Sequence, residues 1–111
     1  MAIETRLVRL ACQGTEDSTG ADQACLTYDG ERVFGPSSIE DGETLNLGIV
    51  RPLSGEARVA LFDEDPLDTD AVLGSVTISR SELGLGLRHQ DLTRNGARYT
   101  LFYRVVRVGD G

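Results

Sequence analysis

A chain of 111 residues with 40% hydrophobic side chains is long enough to close one core without staples, and residues 1–111 are expected to form a single domain. Aromatics make up only 5% and tryptophan is missing, so that core has to be filled by Val, Leu, Ile and Ala. Eleven arginines and no lysine against eighteen acidic residues leave a net charge of −7, which argues against nucleic acid as a partner and against unaided attraction to anionic lipid.

The N-terminus, Met1-Ala2-Ile3-Glu4-Thr5-Arg6, runs directly into a strand pattern. It lacks the apolar stretch and small-residue cleavage site of a signal peptide, and no later run approaches a membrane span, so cytoplasmic residence is expected unless export uses another signal. The first strand is read as Glu4 to Cys12, with Arg6, Val8, Leu10 and Cys12 on one face. A loop of small and acidic residues follows, Gln13 to Asp22. A second strand, Gln23 to Tyr28, meets Asp29-Gly30 and continues as Glu31 to Phe34; Asp-Gly between alternating runs signals a type I′ hairpin, because both central residues need positive φ. Gly35 to Gly42 is rich in turn residues. A strand from Glu43 to Val50 comes next, and Pro52-Leu53-Ser54-Gly55 turns the chain into Arg58 to Phe62.

Five acidic side chains then fall within eight residues: Asp63, Glu64, Asp65, Asp68 and Asp70. Leu73 to Ser79 reads as the next strand. Ser79-Arg80-Ser81-Glu82 has capping-box spacing for one helical turn, which Gly84 and Gly86 should stop. Asp91 to Arg94, the turn Asn95-Gly96 and Ala97 to Val108 form the last hairpin. In the final strand Tyr99, Leu101, Tyr103 and Val105 share one face, and Thr100, Phe102, Arg104 and Val106 the other. Both faces are mostly apolar, so the strand should be interior to its sheet. Eight strands without a long helical period predict an all-β fold, an eight-stranded antiparallel β-sandwich.

The acidic segments fall after the first, third and fifth strands. Carboxylates crowded at a loop repel, and a hard cation such as calcium, which takes six to eight oxygens from carboxylates and carbonyls, would convert that repulsion into affinity. An EF-hand loop beginning at Asp63 fails at Leu67, Asp68 and Gly74. Cys12 and Cys25 match no zinc spacing and are expected as buried thiols rather than a disulfide. His89, the only histidine, has no nucleophile or carboxylate that the sequence nominates as a partner, so a surface or loop histidine is expected and an enzyme ranks last among the readings. Arg104 and Arg107 suit an acidic partner, although arginines on strands more often pair with neighbouring carboxylates or reach solvent.

An acidic loop after the first strand, an Asp63-Glu64-Asp65 loop closing on Leu73-Gly74, and a final aromatic strand together resemble the calcium- and phospholipid-binding C2 domain, in its second topology. The resemblance covers nearly the whole chain as a pattern, with its specific motifs confined to two loops. It implies metal ligands at Asp17 and Asp22 in the first loop and at Asp63 and Asp65 in the third. The family's further aspartate falls on Ala71, with Asp70 one place earlier, and Asp70 is taken as the fifth ligand. Glu16, Asp41 and Asp68 are additional candidates, with Glu40 as an alternative to Asp41. The same topology places the two cysteines in opposite sheets. It offers only Leu67 at a loop tip for insertion into lipid, so membrane association should be calcium-bridged and weak. The expected function is a small stand-alone, non-enzymatic calcium-binding module with a protein partner. The alternative is a metal-independent adaptor that binds a protein through its acidic surface.

Overall fold

The computed structural model of the protein describes residues 2–16, 20–64 and 70–109. Eight strands follow one another: β1 (Ile3–Gly14), β2 (Asp22–Tyr28), β3 (Glu31–Ile39), β4 (Thr44–Pro52), β5 (Glu56–Asp63), β6 (Ala71–Ser79), β7 (Arg88–Leu92) and β8 (Arg98–Arg107). They form two four-stranded sheets, ordered β4-β1-β8-β7 and β3-β2-β5-β6, with every pairing antiparallel. The expected all-β sandwich is therefore the observed one.

Between the sheets lies the core that the alternation in β8 announces. Tyr99, Leu101, Tyr103 and Val105 are all buried, against Leu7, Leu10, Leu26, Val59, Leu61, Leu73 and Ile78 from other strands. Burying each such side chain contributes on the order of 1.5–3 kcal/mol. Strand β8 sits between β1 and β7, interior to its sheet as expected. The Asp29-Gly30 turn has φ values of 50° and 86°, and Asn95-Gly96 has 54° and 83°, so both hairpins carry the type I′ geometry read from their dipeptides. The Ser79–Glu82 capping box also forms, around a single 3-10 turn at Arg80–Glu82.

Three local expectations are corrected. The first strand does not keep one face: Thr5 and Leu7 are buried, then Leu10 and Cys12, while Arg6 and Val8 are not. A bulge between Leu7 and Arg9 makes Val8 one extra residue against β8, which reverses the alternation. The turn-rich run from Gly35 is strand as far as Ile39, which is fully buried. An edge strand tolerates Pro36, and Gly35 at φ +90° takes up a register shift where β3 passes β2. The seventh strand lies at Arg88–Leu92 rather than Asp91–Arg94, because it is held by its register on β8, from Arg88 opposite Tyr103 to Leu92 opposite Tyr99. His89 consequently lies on a strand, exposed.

Polar bridges also tie the two sheets together. The Tyr28 hydroxyl lies 3.0 Å from the Thr5 hydroxyl and donates to the Pro52 carbonyl at 2.9 Å, so the β2 strand of one sheet is fastened to β1 and β4 of the other. At the edge near β7, the Gln90 side-chain amide donates to the Thr77 carbonyl and to the Tyr103 hydroxyl.

Candidate metal centre

Three acidic connections meet at one end of the sandwich, and their hydrogen bonds fix how they meet. The β1–β2 connection is tied to the β3–β4 turn by Thr15 N donating to Asp41 Oδ1 at 2.8 Å. It is tied to β2 by Glu16 N donating to Asp22 Oδ2 at 3.0 Å. The end of β5 is joined to β2 by Gln23 N donating to Asp63 Oδ1 at 2.7 Å, and by Glu64 N donating to the Gln23 carbonyl. Antiparallel pairing of β2 with β5 sets Ala24 opposite Asp63, so Asp22 at the start of one strand and Asp63 at the end of the other have to lie side by side.

The result is a group of three carboxylates, Glu16, Asp22 and Asp63, each offering an oxygen within 4.8 Å of the other two. At that separation each pair of charges repels by about 3 kcal/mol at an effective dielectric of about 20. Backbone N–H groups at Glu16 and Gln23 offset part of this. A deeper contribution comes from Tyr99 on β8, whose hydroxyl donates to Asp22 Oδ2 at 2.5 Å from beneath the loops. Asp22 is only 1% exposed and Tyr99 not at all. A buried carboxylate needs such donors, and here they orient it.

The structure brings Asp22 and Asp63 together, as the resemblance implies, and adds Glu16 as a full member of the group. Asp41 is engaged elsewhere, closing the first loop through Thr15, and Glu40 lies beside it, exposed. Asp70 is exposed at the entry to β6, outside the three-carboxylate group. Asp17, Asp65 and Asp68, with Leu67, lie outside the described residues. Tyr99 is a member of the site that sequence reasoning missed. The alternation of β8 makes its burial readable, and a buried tyrosine hydroxyl needs a polar partner, but only the fold identifies that partner as Asp22.

The donor set is all oxygen, which suits a hard cation over zinc or copper. One thiol, Cys12, is buried opposite Tyr99 on β8, and its burial holds the thiol pKa above the ordinary value. Burial likewise raises Cys25, on β2 in the opposite sheet; both are free thiols, as expected.

All three tyrosines are raised as well. Burial is the largest cause in each, reinforced at Tyr99 by the hydrogen bond to Asp22 and at Tyr103 by the one to Glu82. The unfolded chain releases these thiol and phenol protons from about pH 9 to 10, whereas the folded protein keeps them to higher pH. Their contribution to stability is therefore whole below about pH 9 and is lost as pH rises beyond it. In an alkaline series, melting temperature should fall steadily above that point. Phenolate absorbance should appear together with loss of the β-sheet circular dichroism signal, not before it.

The sandwich has the C2 fold. A solved C2 domain with 15% sequence identity aligns over 93% of this chain and 97% of that one, with a TM-score of 0.62. The C2A domain of plant extended synaptotagmin 1 is 11% identical over 95% of this chain and 92% of that one, with a TM-score of 0.64. Human GIVD cytosolic phospholipase A2, solved in complex with an inhibitor and terbium chloride, is 15% identical and covers 98% of this chain but 18% of its own, with a TM-score of 0.54. At these identities the likeness is one of fold. No protein-family model and no curated protein matches the sequence.

Proposed function

We propose that this C2 fold serves as a small calcium-binding module without catalytic activity, which associates with a protein partner and, through bridging calcium, weakly with membranes. The observation that carries the reading is the meeting of Glu16, Asp22 and Asp63 at one end of the sandwich, with Asp22 buried and braced by Tyr99. Three carboxylates supply part of the six to eight oxygens calcium takes. Asp17, Asp65 and Asp70 are the loop acids placed in sequence to supply others, with water. Calcium bound there would neutralise the repulsion and hold the two long loops against each other.

The test is a thermal melt of the purified protein in chelator, in calcium and in magnesium. Calcium should raise the melting temperature, in keeping with a stabilisation of RT ln(1 + [L]/Kd), or about 2.7 kcal/mol at a hundredfold excess over Kd. Magnesium, which demands near-octahedral geometry and sheds water reluctantly, should do much less. An Asp63→Asn, Asp65→Asn double variant that keeps the full calcium shift would overturn the site.

A second reading is favoured by a different observation. Asp22 and Asp41 accept hydrogen bonds from loop backbone N–H groups and Asp63 accepts one from Gln23 N on β2, so these acids brace the loops without any ion. On that reading the module is an adaptor, and its melt would be indifferent to calcium and chelator alike.

A further inference from the structure

We propose that the outer face of the β4-β1-β8-β7 sheet is a docking surface for an acidic, extended peptide segment of a partner protein. In an acidic molecule this face collects arginines. Arg6 on β1 and Arg104 on β8 are direct cross-strand partners, and Arg9 stands opposite Phe102 in the next outward-facing row. Their neighbours Leu7, Leu10, Leu101, Tyr103 and Val105 are buried, which sends Arg6, Arg9, Phe102 and Arg104 out of the opposite face.

Like charges placed directly opposite each other across two strands are destabilising, so the Arg6–Arg104 pair costs the fold something it does not need for packing. Glu4 pairs with Arg6 at 3.2 Å. Arg9 and Arg104 make no ion pair among the described residues. Arg9 instead lies over the Phe102 ring, 4.4 Å from its centroid, and His89 approaches the same ring at 5.8 Å from β7. A guanidinium over an aromatic face is held in place by the ring while its N–H donors remain available for a carboxylate. Val50, 46% exposed and opposite Arg6 on β4, adds an apolar flank.

The spacing selects the occupant. Phe102 and Arg104 are two residues apart on one strand, so the Arg9 row and the Arg6–Arg104 row are about 6.8 Å apart. Carboxylates at alternate positions of an extended peptide have that same repeat and would meet the two rows in turn. A peptide also escapes the protein's overall charge, which a bilayer would not. Arg104 stands five residues along β8 from Tyr99 at the acidic end, roughly 17 Å. That is about two Debye lengths at physiological ionic strength, while the Phe102 row, three residues or about 10 Å from Tyr99, lies a little more than one away, so the acidic loops act on a small ligand here only weakly. A bilayer laid along the same face would meet that end too. This surface rests on neither calcium nor the acidic loops.

The experiment uses fluorescence anisotropy with a labelled peptide alternating glutamate and serine, and a second peptide of equal composition with its glutamates in one block. Vesicles of phosphatidylcholine with phosphatidylserine are the lipid arm. The alternating peptide should bind at low salt, tighter than the block peptide, and equally in calcium and chelator. An Arg9→Glu, Arg104→Glu variant should lose about tenfold or more in affinity, since two attractions at the surface become repulsions. Arg80→Glu, which changes charge away from this face, should bind nearly as the wild type does, and melts of the variants establish that each is folded. Failure of the alternating peptide to bind, equal losses in the Arg80 variant, or an unaffected double variant would each overturn the proposal. Binding to vesicles without binding to peptide would overturn the choice of partner.

Discussion

Replacing Gly74 by alanine should cost the protein about 2–6 kcal/mol, out of a total that for a domain of this kind is about 5–15 kcal/mol. Gly74 has φ of +149°, and a Cβ on it would lie 2.7 Å from Leu92 Cβ and 2.8 Å from Leu92 Cα. Leu92 is itself 1% exposed and its backbone is fixed in β7 by the ladder to β8, so neither partner has room to yield. This is where β6 of one sheet comes against β7 of the other, at the strand that leads out of the third acidic loop. A urea titration reads the effect as a fall in midpoint with little change in slope. The matched control is Gly55→Ala. A methyl group on that glycine would meet nothing within 4 Å, and its φ is not positive, so alanine there should be neutral or stabilising by up to about 1 kcal/mol through the unfolded chain. Equal stability for Gly74→Ala and the wild type would contradict the packing between the sheets.

The second large effect separates the charge of Asp22 from its hydrogen bonds. Tyr99→Phe leaves every carboxylate in place but removes the donor beneath Asp22, and should destabilise by about 1–3 kcal/mol whether or not calcium is present. Asp22→Asn does the reverse. The amide still offers an acceptor to Tyr99 or Glu16 N, while one of three mutually repelling charges disappears. Its stability in chelator should therefore stay near that of the wild type, and the rise on adding calcium should vanish. Melts of both variants in chelator and calcium distinguish a carboxylate that holds an ion from one that only closes a loop. A full calcium shift in Asp22→Asn would remove Asp22 from the site, and no shift in the wild type would leave the adaptor reading standing.

What could be read from residues alone was whatever depends on near neighbours. The two type I′ turns are demanded by Asp29-Gly30 and Asn95-Gly96, since few residues accept positive φ in succession. The capping box at Ser79 closes within four residues. The buried face of β8 follows from a two-residue period that nothing interrupts. From these the sandwich, its strand count and the acidic end were all legible. The tertiary structure decided the rest, because it depends on which strands become neighbours. Val8 is an extra residue of β1 only in its pairing with β8, and Pro36 lies within a strand that the sheet order places at an edge. Glu16 joins the site through a bond to Asp22, and Tyr99 reaches Asp22 across a separation of 77 residues, which no local pattern encodes. Sequence by itself supplied a surplus of carboxylates at the right loops; pairing β2 with β5, and closing β8 beneath them, determined which of those carboxylates face one another.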